Sequence, residues 1–256
     1  MAGNSASSGV SVTSRVLALL GAFDDAHRSL KLSQLARRAD LPLATAHRLV
    51  AELVAWGALV RGPSGDYVIG RRMWDLGLLA PVQSGLRQLA SPFLQDLYGA
   101  TLATVHLAIR DGNQALFLDR ISGHASVPVV SHVGARLPLH ATGVGKVLLA
   151  HAPDAVQADV LANHLTRITP YTITQPERMQ EQLEVIRRDG FSLTFEEMTL
   201  GACSVAVPIR VSDGTVAASL GIVVPRLTGS RPSVLPALQV AAQGIGRSIS
   251  GISSVQ

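Results

Sequence analysis

The apolar residues of this chain follow two periods, and the switch between them divides it. Between Thr13 and Arg72 they recur at the three-to-four spacing of amphipathic helices; from Thr101 onward, alternation of period two takes over, with helical stretches between. A first helix is expected from a cap at Thr13 or Ser14 to about Phe23, with Val16, Leu17, Leu20 and Phe23 on one side. A second runs from Ser33, placed as its cap, to Ala39. Pro42 lacks a backbone N–H and pushes Leu41 away from helical angles, so it ends one helix and opens the next. In that next helix Ala46, Leu49, Val50 and Leu53 fall at i, i+3, i+4 and i+7 and form the buried stripe. The opposite face carries Ala44, Arg48 and Ala51, flanked by Thr45, His47 and Glu52. Trp56-Gly57 closes the helix, and Ala58–Arg61 with Asp66–Ile69 alternate as a hairpin around Gly62-Pro63-Ser64-Gly65.

Two short helices, a tight turn and a two-stranded wing are the shape of a helix-turn-helix reader of DNA. Small residues with a single Arg on the outward face suit a helix lying in a major groove, where close approach is needed and Arg reads guanine or holds phosphate. An ordinary three-helix subdomain is the plain alternative.

Downstream, Met73–Leu79 is helical in pattern, is interrupted at Pro81 and resumes to about Ala90, a connecting helix. Its Trp74, Leu78 and Leu79 need cover, either from a second copy or from their own domain. Ser91-Pro92 reads as a cap and first turn of a further helix ending at Gly99. Strands are expected over Thr101–Arg110, Gln114–Ile121, Val127–Val133, Phe191–Glu196, Ser204–Arg210 and Thr215–Val224. Helices are expected over Thr142–His151, Pro176–Asp189 and Pro232–Ser250. Helices packed on an antiparallel sheet make an α+β domain. The expected organisation is a disordered tail over 1–11, a winged helix-turn-helix domain over 12–72, a linker helix over 73–90 and the α+β domain over 91–256.

Charge sharpens the division. The net charge is +4, and all of it lies in residues 1–72, which hold nine basic and five acidic side chains against thirteen of each in the remainder. A polyanion-binding module joined to a neutral one has this distribution. With 47% apolar and 16% charged residues the chain is globular, its lone cysteine excludes an internal disulfide framework, and no apolar run reaches a membrane span. Val16–Phe23 lacks the basic leader and cleavage site of a signal peptide, so a cytoplasmic protein without a membrane partner is expected.

Five stretches in combination carry a family resemblance: LPLATAHRLVAELVAWGAL, GDYVIG, VGARLPLHATGVGKVLLA, the run from Gly190 to Gly201 with Glu196-Glu197, and the VAVPI and VVP segments. Over about Val12 to Ile249 the chain resembles the isocitrate-lyase-regulator (IclR) family of bacterial transcription factors. The resemblance implies an all-α winged helix-turn-helix domain followed by an α+β GAF-like effector-binding domain. It also implies a homodimer or dimer of dimers on palindromic double-stranded operator DNA, with affinity altered by a small-molecule effector.

Thr45, His47 and Arg48 match the family's recognition helix, while Ser33, Arg37, Arg38 and the wing's Arg61 complete the candidate DNA-binding set as positioning or phosphate contacts. Leu43-Ala44 stands where the family often has a polar pair, so the DNA sequence read is expected to be this protein's own. The positions matching the family's effector pocket are Leu137, Gly143, Val144, Thr194, Ser204, Gly221 and Val223. The family frequently has an acid, a cysteine and two serines where Thr194, Ser204, Gly221 and Val223 stand. A lining with fewer polar groups implies an effector larger and less polar than a short keto acid, such as an aromatic one, anchored by Ser204, Thr194 and the N–H groups opening the Gly143–His151 helix.

Other signals carry less. Gly143-Val144-Gly145-Lys146 lacks the upstream glycine and following Ser or Thr of a phosphate loop, and His106, His124, His132, His140, His151 and His164 lack ligand spacing, so neither cofactor nor metal is expected. Cys203 reads as packing rather than a nucleophile, and Glu196-Glu197 as ion-pair partners of Arg side chains. No catalytic constellation is present, which favours a regulator over two alternatives: a small-molecule enzyme with an added DNA-binding domain, and a constitutive DNA-binding dimer without an effector.

Overall fold

The computed structural model describes residues 11–24, 26–78, 84–123, 129–225 and 231–253. The chain divides into two compact units, Met1–Val82 and Gln83–Gln256. The expected tail over residues 1–10, Leu79, Pro81 and the first part of the expected strand Val127–Val133 lie outside the described residues, as does the side chain of Leu78.

The first unit is built from α1 (Val12–Leu20), β1 (Ser29–Leu30), α2 (Leu32–Arg38), α3 (Leu43–Trp56), β2 (Leu59–Arg61), β3 (Tyr67–Ile69) and α4 (Arg71–Leu78). α1 starts earlier than expected because Ser11, not Thr13 or Ser14, is the cap, its side chain accepting the Ser14 N–H. Of the expected stripe Val16, Leu20 and Phe23 pack against the core, but Leu17 is 61% exposed and Leu19 takes the fully buried place. α2 likewise begins at Leu32: the Gln34 side chain reaches back to accept the Lys31 N–H at 2.8 Å, and Ser33 sits exposed inside the helix rather than capping it. Asp40 takes a left-handed φ of 51° in the turn before Pro42, the residue from which α3 starts. The stripe Ala46, Leu49, Val50 and Leu53 is buried as the spacing requires. Gly57 ends α3 at φ 85°, a conformation glycine adopts without strain. The wing has a third strand that sequence reading missed, in the order β1-β3-β2.

The second unit comprises α5 (Ser84–Thr101), β4 (Thr104–Asp111), β5 (Gln114–Ile121), β6 (Arg136–Pro138), α6 (Gly143–Ala150), α7 (Asp154–Ala162), α8 (Pro176–Asp189), β7 (Ser192–Phe195), β8 (Cys203–Arg210), β9 (Val216–Val224) and α9 (Arg231–Ser253). The strands form one antiparallel sheet in the order β6-β5-β4-β9-β8-β7. α5 is continuous through Pro92, so Ser91-Pro92 does not open a new helix. Leu86, Ala90, Leu94 and Leu97 line one face of α5 and bury it against the sheet, which outweighs the one backbone hydrogen bond that Pro removes. α9 covers the same sheet face through Val234, Leu238, Ala241, Ala242 and Ile245. On the opposite face a second core joins α6 to α8 through Val147, Leu149, Met179, Leu183 and Ile186. β4 and β9 lie mid-sheet and are buried on both sides. Val129–Val133 is not a strand: β5 instead takes the Ala135 carbonyl and the Gly134 N–H at Phe117 and pairs with β6 beyond.

Candidate functional site

In the first unit the exposed face of α3 carries Ala44, His47, Arg48 and Ala51, with Thr45 half-buried beside them. The buried stripe on the other side fixes this face outward. Arg48 makes only an exposed i,i+4 pair with Glu52 at 3.1 Å, which is worth a few tenths of a kcal/mol and yields readily to a phosphate or a base. Leu43, 55% exposed, stands at the opening of this helix. Arg37, on α2, is exposed, and the wing's Arg61 lies beside Gly65. Arg38 differs: its Nε donates to the Ala22 carbonyl and its guanidinium pairs with Asp24, tying α2 to the end of α1. Asp66 accepts from Ser64 and Ser29, which braces the wing; the Ser64 bond, with smaller help from a backbone N–H and the Lys31 charge, holds its carboxyl below the usual range. Arg72 stacks over the Trp56 ring at 4.3 Å and donates to the Trp56 carbonyl, locking the end of α3 to the start of α4.

In the second unit Leu137, Gly143, Val144, Thr194, Ser204, Gly221 and Val223 all line one cavity between the sheet and α6. Its empty volume, including the part open to solvent, is about 510 Å³. Thr142 caps α6 by accepting the Gly145 N–H at 3.1 Å, which leaves the first helical residues, Gly143 and Val144, on the cavity wall. Gly143 brings α6 close to the sheet: a Cβ there would press on Ser204 Oγ and stand 3.4 Å from Ser204 Cβ. Pairing of Thr194 with Ser204 across β7 and β8 sets their hydroxyls 2.6 Å apart.

Sequence reasoning missed several lining residues, among them His106, Phe117, Val129, Ser131 and Met198. His106 lacks metal-ligand spacing in the sequence, and its place in the fold is different. It is buried on β4, its Nε2 lies 2.7 Å from Ser131 Oγ, and the Phe117 ring meets it edge-on at 5.0 Å. Burial, with a smaller effect from Arg120, pushes its pKa down to about 3, so the imidazole is neutral at physiological pH. The signal available in the sequence was a lone polar ring among alternating apolar residues on a central strand.

Behind the cavity the GK of the Gly143–Lys146 stretch has a role of its own. Lys146 is fully buried and its Nζ binds both carboxylate oxygens of Glu197, at 2.6 and 2.7 Å, and Gln182 Oε1 at 2.7 Å. Glu197 therefore pairs with Lys rather than with the Arg partners expected. Burial lowers the Lys146 pKa and the Glu197 carboxylate opposes that shift. Glu196 turns away at φ 56° and accepts the Gly201 N–H. Among the described residues no group of His, Cys, Asp and Glu is arranged to hold a metal ion, and no helix is long and apolar enough to cross a membrane.

Comparison with known proteins agrees with both halves of this description. Residues 12–63 match the model of the IclR helix-turn-helix domain, and residues 80–247 that of the bacterial transcriptional regulator IclR C-terminal domain. The chain is 31% identical over 210 residues to the HTH-type transcriptional regulator XynR of Escherichia coli strain K12, covering 81% of this chain and 83% of that protein. It is 34% identical over 200 residues to the HTH-type transcriptional regulator BhcR of Paracoccus denitrificans, covering 77% and 72%. Among solved structures, an IclR homolog from Microbacterium hydrocarbonoxydans complexed with 4-hydroxybenzoate superposes with a TM-score of 0.89 at 36% identity, covering 94% of this chain and 100% of that one.

Proposed function

The chain belongs to the IclR family of bacterial transcriptional regulators, and from that premise we propose that it is a ligand-responsive regulator whose α3 reads operator DNA and whose sheet-and-α6 cavity takes an aromatic effector of low polarity. The observation that carries the effector class is the cavity lining. Leu137, Val144, Phe117, Ala206 and Val223 supply apolar walls, Cys203 and Ile222 lie at its edge with their side chains in the core on the other face of the sheet, and the ionisable side chain that faces in among the described residues is the neutral His106. A short dicarboxylate or keto acid would leave charge uncompensated there. One carboxylate is accommodated at the start of α6, where backbone N–H groups and the helix dipole favour an anion and the Thr194–Ser204 hydroxyls add donors. The homolog crystallised with 4-hydroxybenzoate supports this class for the present chain.

On the DNA side, Thr45, His47 and Arg48 read base edges, while Arg37, Arg61 and the free edge of Arg38 hold phosphates. The protein acts in the cytoplasm as a homodimer or dimer of dimers, with α4's exposed Trp74 (53%) as one candidate contact. The relatives it matches are named as regulators, which speaks against the reading as an enzyme.

Footprinting of the promoter regions flanking the gene, with and without 4-hydroxybenzoate and small dicarboxylates, tests the proposal. A protected site whose affinity changes only with the aromatic acid is the expected result. Protection indifferent to every ligand would favour a constitutive DNA-binding dimer instead.

A further inference from the structure

We propose that the cavity measures its effector between two poles, and that the His106–Ser131 pair reads a hydroxyl group at the end opposite the carboxylate. This rests on the reading of the cavity as the effector site. The register of the sheet sets the distance. His106 on β4 lies opposite Gly221 on β9, whereas Ser204 on β8 lies opposite Val223 on β9 and Thr194 on β7. The two polar groups are thus two strands apart and offset by two residues, about 12 Å between their backbone positions. Between them β9 offers only Gly221 and Val223 on that face.

Gly221 lets α6 close onto the sheet at this point: a Cβ there would lie 2.8 Å from Val144 Cγ1 and 3.3 Å from Ala206 Cβ, so Val144 forms the wall beside which a flat ring would lie. A benzene ring substituted at opposite ends, with a hydrogen bond of about 2.8 Å at each end, spans such a gap. A short keto acid reaches only one pole.

The chemistry of the two poles differs. At the α6 end, N–H groups and hydroxyls face an anion. At the other, His106 is a neutral imidazole and Ser131 a hydroxyl engaged with it at 2.7 Å. A serine oxygen holding one such bond keeps capacity for another, which a phenolic hydroxyl satisfies as donor or acceptor. The Arg120 guanidinium stands behind, donating to the Ser131 carbonyl at 2.8 Å, and it is not among the residues lining the cavity. Its charge disfavours protonation of His106. A second carboxylate would meet neutral groups only, so the pair selects a hydroxyl over an acid and over a bare ring edge.

Calorimetric titration of the full-length protein with 4-hydroxybenzoate, benzoate and terephthalate tests the assignment. The hydroxy acid should bind at least about tenfold tighter than benzoate, with terephthalate weakest. His106→Phe should bring the ratio of hydroxy acid to benzoate near one while benzoate still binds. Ser131→Ala, which retains the imidazole, should narrow the ratio and serves if His106→Phe fails to fold. Thr194→Val should weaken all three acids alike. A ratio that survives both His106→Phe and Ser131→Ala overturns the assignment, as does a ratio lost in Thr194→Val alone, which would mean reversed poles. Aromatic acids that bind without preference for the hydroxyl sink this inference and leave the proposed effector class standing. If none of the three binds while a non-aromatic metabolite shifts the footprint, both fall together.

Discussion

Burial of His106 makes the stability of the fold acid-sensitive, because the folded state admits only the neutral ring. Its folded pKa is depressed to about 3 from an ordinary 6.5, so between those values the unfolded chain binds a proton that the folded chain refuses. The contribution is fully present above pH 6.5 and is lost as pH falls toward 3, at up to about 1.4 kcal/mol per pH unit. Urea denaturation at pH 7, 6 and 5 should show wild type losing about 2 kcal/mol more than His106→Gln by pH 5; equal losses would mean that the ring is solvated. Thr104, two residues earlier on the same face of β4, is buried, and its hydroxyl has no hydrogen-bond partner among the described residues. Thr104→Val keeps the shape and removes that hydroxyl, so it should stabilise the protein by about 1 kcal/mol, read as a higher urea midpoint. Sequence reasoning could see neither residue. Period two places Thr104 and His106 on one side of β4, but whether a polar side chain finds a partner depends on segments far away in sequence, such as Ser131.

At the scale of elements, local rules placed most of the helices and strands and failed where a distant contact intervened. Pro176–Asp189, with Pro at its start and Gly190 at its end, is α8 as read, and Gln114–Ile121 is β5. Pro92 misled because the stripe that carries α5 past it packs on a sheet formed later in the chain. Ser33 misled because the cap lies two residues earlier, at Lys31, whose N–H the Gln34 side chain accepts. The seven expected cavity residues could be brought together only through family resemblance; their spacing in sequence from Leu137 to Val223 carries no periodic signal. Lys146 shows a different limit: its charge was visible, its burial against Glu197 was not. That pair joins α6 to the turn after β7, from which Met198 and Thr199 reach the cavity. Lys146→Met would strand a buried carboxylate and should destabilise the fold by about 3–5 kcal/mol, with Lys146→Met/Glu197→Leu regaining much of that loss. A double variant no more stable than the single one would show that the charges matter beyond pairing with each other.

For the molecule as a whole, the division of charge predicts how DNA binding responds to salt. The excess of +4 falls within residues 1–72, and the remainder is neutral, so the salt dependence should originate entirely in the winged unit. Each phosphate neutralised releases counterions, and the slope of log K against log salt is about −0.9 per contact. Arg37 and Arg61 are exposed with no carboxylate partner among the described ion pairs, so their guanidinium groups are available to phosphates. Arg48 sits on the outward face of α3 and has only Glu52 to release. The two kinds of contact leave different signatures in one experiment. Fluorescence anisotropy on operator and unrelated duplexes, across a salt series, should find that Arg37→Ala or Arg61→Ala weakens both duplexes alike and flattens the slope by about one per subunit. Arg48→Ala should instead cost about 1–3 kcal/mol on the operator and little on unrelated DNA, with the fold intact by circular dichroism. Normal operator affinity in Arg48→Ala would refute α3 as the reading helix. An unchanged slope in the other two would move the phosphate contacts elsewhere on the winged unit. The ligand adds a further constraint: if the effector acts by shifting the population of DNA-competent protein, it should change the operator affinity by one factor at every salt concentration and leave the slope untouched. A slope that falls when the aromatic acid is added would mean that the effector removes phosphate contacts from a complex that stays bound.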